Sequence, residues 1–108
     1  MAIYEHEHRG IPIPEHLSDT TRELFVMIID ELITEGADVK PIDTIAIEML
    51  ASALAFLRRA RKERRLATEE DAAAVLAEID SEAWNRALSA AHDLTLSDQA
   101  LKRLAWEQ

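Results

Sequence analysis

Six of the chain's twelve lysines and arginines fall in eight consecutive positions, Arg58-Arg59-Ala60-Arg61-Lys62-Glu63-Arg64-Arg65. On a helix, Arg58, Arg61, Lys62 and Arg65 share an arc of roughly 100°. Four cations on one face suit contact with successive phosphates of a nucleic-acid backbone. The same cations in the last turns of a helix also stabilise its C-terminus through the dipole. They can equally pair with acidic stretches, and both readings stand at this point. The surroundings are acidic. Residues 1–57 carry 3 basic and 11 acidic side chains, residues 66–108 carry 3 and 9, and the whole chain has a formal net charge of −9. Such a balance opposes non-specific nucleic-acid binding unless the cations act as a local patch.

A second basic pair, Lys102 and Arg103, belongs to a segment with a helix-turn-helix outline, Trp84 to Leu104. In that motif the second helix enters the major groove. Starting at Ser97, it would present Asp98, Gln99, Lys102 and Arg103. A helical pair that merely packs has the same outline. His6-x-His8 has spacing for two metal ligands on an extended chain, but a site needs a third ligand and fixed geometry. Solvent-exposed histidine is therefore the reading for His6, His8, His16 and His92, and no metal site is expected. The chain has no cysteine and two glycines, Gly10 and Gly36. Thiolate chemistry is thereby excluded, a glycine-rich phosphate cradle is too, and no serine has a base at suggestive spacing. No cofactor and no catalytic activity are expected; the carboxylates read as solvated helix faces.

The elements that position the basic run follow from the apolar pattern. Hydrophobic residues make up 48% of the chain and aromatics 5%, so the core must be built from Ala, Leu and Ile, which favour helices. Residues 1–17 read as an extended arm, because Pro12 and Pro14 hold the chain open, with Ile11, Ile13 and Leu17 free to dock. A first helix is expected from Ser18–Thr20 to Gly36, with Ser18 as N-cap and Gly36 as stop. Its Leu24, Phe25, Val26, Ile28, Ile29, Leu32 and Ile33 span roughly 200° of the wheel, wider than a surface helix needs. A second helix starts around Pro41–Asp43 and runs through Ile45, Met49, Leu50, Phe56 and Leu57 into the basic run. Between Ile45 and Leu57 only Glu48 and Ser52 are polar. A helix so apolar must be covered nearly all round, and other copies of the chain are the simplest cover.

Thr68 is expected to open the next segment, with residues 69–92 forming one helix or two broken near Asp80 and Ser81. Ser97 caps a last helix carrying Leu101, Leu104 and Ala105. The sequence thus predicts one all-α domain in three parts: an arm (1–17), an antiparallel helical hairpin core (18–66) and further C-terminal helices (67–108). The predicted oligomer interface is Leu24, Phe25, Ile28, Ile29, Leu32, Ile33, Ile45, Met49, Leu50, Phe56 and Leu57. No uninterrupted apolar run of membrane-spanning length occurs. The charged stretch Met1 to Gly10 lacks an apolar signal core, so neither membrane insertion nor secretion is expected.

The layout resembles the small terminase subunits of tailed phages, the family with a Pro-x-x-Leu opening and a helical hairpin. Pro14-Glu15-His16-Leu17-Ser18 resembles the opening. Phe25, Ile28, Ile29 and Leu32 fall on the family's apolar first-helix face. Lys40-Pro41-Ile42-Asp43 resembles its Thr-Pro-Leu-Asp start of the second helix, and Ala46, Met49, Leu50, Ala53 and Ala55 follow its small-and-apolar pattern. The stretch from Leu94 to Leu104 resembles the closing signature Leu-Gly-Leu-Thr-Pro-Ser-Ala-Arg-x-Arg-Leu. Thr95 stands at the signature's glycine, Ser97 at its threonine, Asp98 at its proline and Leu101 at one of its arginines. The resemblance covers roughly residues 12–104. It implies a ring of identical subunits that recognises double-stranded viral DNA and regulates a large ATPase–nuclease subunit, in the cytoplasm of the host cell. The residues that the charge pattern, rather than the resemblance, marks as DNA-contacting are Arg58, Arg61, Lys62, Arg65, Lys102 and Arg103. Two other classes fit the residues: an acidic helical adaptor or antitoxin-like protein-binding module, and a small helix-turn-helix regulator.

Overall fold

The structure, a computed structural model, describes residues 7–66 and 68–106. The first helix, α1, spans Asp19–Thr34, and its start follows from Ser18, whose hydroxyl accepts a hydrogen bond from the Thr21 amide. Its stop is a Schellman turn. The Gly36 amide donates to the Ile33 carbonyl, the Ala37 amide donates to Leu32, and Gly36 takes φ +87. Pro41–Asp43 form a single 3-10 turn, and the Asp43 carboxylate accepts from the Lys40 amide at 2.9 Å. That turn leads into α2, Thr44–Leu66.

Glu70–Asp93 form one continuous helix, α3. Asp80 and Ser81 do not break it, and its N-cap is Glu69 rather than Thr68. A second Schellman turn closes α3: the Thr95 amide donates to His92, the Leu96 amide to Ala91, and Thr95 takes φ +60. The last helix, α4, spans Asp98–Trp106, and the Ser97 hydroxyl accepts from the Ala100 amide.

The arm is not simply extended. Glu7–His8 (β1) and Ile11–Pro12 (β2) pair antiparallel across a two-residue turn, Arg9-Gly10, both at positive φ. The His8 ring and Arg9 hold Asp30 of α1, at 2.7 and 3.1 Å. Ile11, Ile13 and Leu17 are buried on the chain's own core.

That core joins α1, α2, α3 and α4. Leu24, Phe25, Ile28 and Ile29 of α1, Ile47, Leu50, Leu54 and Leu57 of α2, Ala87 and Ala91 of α3, and Leu101 and Leu104 of α4 form one cluster. The chain is mostly helical, and α2 is its spine, packing most extensively on α3, then on α1, and also on α4. No helix among the described residues is long and apolar enough to cross a membrane.

Candidate functional site

The basic run forms the second half of α2, and its two sides meet different surroundings. Arg58 points inward. Its guanidinium donates to the Leu104 carbonyl of α4, with Nε at 2.9 Å. Arg61 also points inward. Its Nε lies 3.0 Å from the Asp80 carboxylate of α3, both side chains are about 15% exposed, and its guanidinium sits 5.6 Å from the Trp84 ring centre. Near α4, Arg103 pairs with Glu31 of α1 at 2.7 Å, and that hydrogen bond holds the guanidinium above its ordinary pKa. Three of the six expected DNA contacts thus hold helices together. Arg58 supplies a donor to a terminal carbonyl of α4, and Arg61 and Arg103 neutralise carboxylates of neighbouring helices.

Lys62, Arg65 and Lys102 are exposed, and so are Arg59 and Arg64, which the wheel arc left out. Arg59 and Lys62 border a groove of about 480 Å³ where the start of α1 meets α2, with Ser18, Thr20 and Ala55 on its walls. Backbone amides at a helix start and two nearby cations favour an anion such as a phosphate. Asp19, in the first turn, opposes it.

The residues of the expected oligomer interface divide in the same way. Leu24, Phe25, Ile28, Ile29, Leu32, Leu50 and Leu57 are buried inside the single chain. They are corrected from interface to core, because α1, α3 and α4 together cover most of α2. Ile33 is half-buried against the same core. Ile45, Met49 and Phe56 remain at the surface, 73%, 63% and 45% exposed, and Ile42 joins them at 85%. With exposed Ser52, these residues follow a three–four spacing along one side of the second helix and its leading turn. That spacing is the one helix-pairing seams use, and it is readable in the sequence. The seam lies about 140° round the helix from Arg58, away from α4. Leu66 and Val75 are further exposed apolar residues.

At the other end of the molecule Glu35, just past α1, accepts hydrogen bonds from the Ser97 amide and hydroxyl, tying the end of α1 to the start of α4. Those bonds, the side-chain one foremost, hold its pKa below the usual carboxylate value. Asp98 pairs with His92 at 3.2 Å, and Gln99 is exposed. Of the histidines read as solvent-exposed, His6 lies outside the described residues and His8 is instead half-buried against Asp30. Among the described residues no group of three or more His, Asp or Glu is arranged to hold a metal. The chain matches no protein-family model, no curated protein and no solved structure.

Proposed function

We propose that this chain is a non-catalytic, self-assembling small subunit of a phage DNA-packaging terminase, built on a helical hairpin of α1 and α2. The observation that carries the reading is the backbone around the closing signature. The family's glycine falls at Thr95, and Thr95 adopts the left-handed conformation that glycine takes without strain. The family's threonine falls at Ser97, whose hydroxyl caps α4. The family's proline falls at Asp98, the first residue of α4, where proline is favoured. Each position meets the conformational demand of the residue the family uses there, although the residues differ. At the second-helix start, Pro41 opens the 3-10 turn and Asp43 closes onto the Lys40 amide.

Self-assembly is supported by the apolar seam on α2, and DNA contact by the outward cations Lys62 and Arg65. A ring of copies would gather those cations into a charged belt, and the large ATPase–nuclease subunit would supply the chemistry. The test has two parts. Light scattering after size exclusion is expected to give an oligomer above a dimer; a monomer overturns the reading. Replacing Lys62 and Arg65 with Ala is expected to flatten the salt dependence of double-stranded DNA binding, by roughly 0.9 in log–log slope per lost phosphate contact. An unchanged slope removes DNA recognition from this surface.

A second reading, an acidic adaptor that binds protein alone, is favoured by Arg58, Arg61 and Arg103 being engaged within the chain. It predicts no DNA retention even at low salt.

A further inference from the structure

The exposed seam on α2 has a distinctive charge order. Its apolar members Ile42, Ile45, Met49 and Phe56 are followed, at the same spacing, by Arg59 and Glu63. Glu48, which also meets His16 at 2.9 Å, lies beside its start, Arg59 is its basic member near the end, and Ser52, a small side chain, sits midway. From Ile42 to Glu63 the seam runs about 30 Å, at 1.5 Å per residue. Its apolar part, Ile42 to Phe56, runs about 21 Å of this and at one helix width covers on the order of 200 Å², a narrow stripe that the charged side chains beside it must complete.

We infer that two copies of this chain pair antiparallel along α2, about a two-fold axis beside Ser52. The inference rests on the self-assembly proposed above and names its surface. Charge complementarity singles out the occupant. Turning a second copy around Ser52 sets residues whose numbers sum to about 104 opposite one another. Ile45 then lies under the aliphatic stem of the partner's Arg59, and the Glu48 carboxylate comes near that guanidinium. Glu63, an acid at the basic end, falls near the partner's Lys40. A parallel arrangement would instead set Arg59 against Arg59 and Glu48 against Glu48, which repel. The structure also offers a socket. Between α2 and α3 lies a groove of about 520 Å³, walled by Met49, Ser52 and Ala53 on one side and by Ser89 and Ala90 on the other, with the charged Glu48, Arg86 and Asp93 also lining it. The partner's Phe56 falls opposite residues 48 and 49, at this groove, so a knob meets a hole on each side of the axis. Small side chains at Ser52 and Ala53 let the helices approach closely at the axis. The contact is isologous and closes at two copies, so a larger assembly adds a second, different contact.

The chain has no cysteine, so an introduced thiol is unique. A residue on a two-fold axis meets itself. Ser52→Cys is therefore expected to give a covalent dimer under mild oxidation with diamide, read on a non-reducing gel. Ile45→Cys alone and Arg59→Cys alone are expected to stay monomeric on that gel, whereas the Ile45→Cys/Arg59→Cys double variant links. Within one chain these two positions are about 21 Å apart and cannot bridge. Cross-linking of every single variant means parallel pairing and overturns the inference. An oligomer by light scattering in which Ser52→Cys fails to link overturns the two-fold seam but leaves self-assembly standing. A monomer by light scattering overturns both.

Discussion

The two sides of α2 are made from similar residues and do opposite things. The inner side carries Leu50, Leu54 and Leu57, with Arg58 and Arg61 reaching α4 and α3. The outer side carries Ile45, Met49 and Phe56, with Arg59 and Lys62 in solvent. Each side thus has branched or bulky apolar residues leading into arginines. The difference lies in what stands across from them. An inner arginine meets Asp80 or a helix-terminal carbonyl and becomes part of the fold. An outer one meets water and stays available to a phosphate or a partner carboxylate. A basic run is therefore two features wound on one helix, and only its outer half is open to solvent.

Three substitutions test this contrast, from the largest effect to the smallest. Leu54→Ala, fully buried on the inner side, removes packed methyl groups and leaves a cavity. A loss of about 2–5 kcal/mol in urea unfolding is expected; a loss below about 1 kcal/mol would mean that the inner side is loosely packed. Arg61→Ala leaves the Asp80 carboxylate, 14% exposed, with only the weaker approach of Arg64 at 3.7 Å. The expected cost is about 2 kcal/mol, between exposed and buried pairs, and Asp80→Asn combined with it should recover part of the loss. Ile45→Ser, 73% exposed on the outer side, is expected to change stability by less than about 0.5 kcal/mol, measured at low protein concentration. A cost near that of Leu54→Ala would erase the distinction between the sides.

Much of the helical layout was legible in the sequence because its signals are local. Ser18 and Gly36 bracket α1 through a side chain and a backbone angle that act within three residues. Pro41 and Asp43 announce α2 in the same way. The roles of the basic residues were not legible. A wheel shows which residues share an arc but not what lies opposite, and the partners are remote in sequence: Asp80 is 19 residues from Arg61, and Leu104 is 46 from Arg58. For that reason the wheel marks Arg58 and Arg61 as candidate phosphate contacts and leaves Arg59 outside the arc. Asp80 misled in the opposite direction: it reads as a helix break and instead anchors the middle of α3 to α2. The excess of apolar residues on α1 and α2 read as interface because coverage by α3 and α4 depends on tertiary packing. The remainder that stays exposed, Ile42 to Phe56, is a narrow ladder whose spacing was present in the sequence all along.

The spine position of α2 has a kinetic consequence. Its main neighbours, α1 and α3, are the helices immediately before and after it in the chain, so most packing forms between consecutive segments. Chains with such low contact order fold on the microsecond-to-millisecond scale. Bimolecular docking, at typical rate constants of about 10⁵–10⁷ M⁻¹s⁻¹, takes far longer than this at micromolar concentration. In the assembly proposed above, each copy would therefore complete its core before it encounters another, and assembly would proceed by collision of finished subunits, with a rate that rises with protein concentration while the folding rate does not.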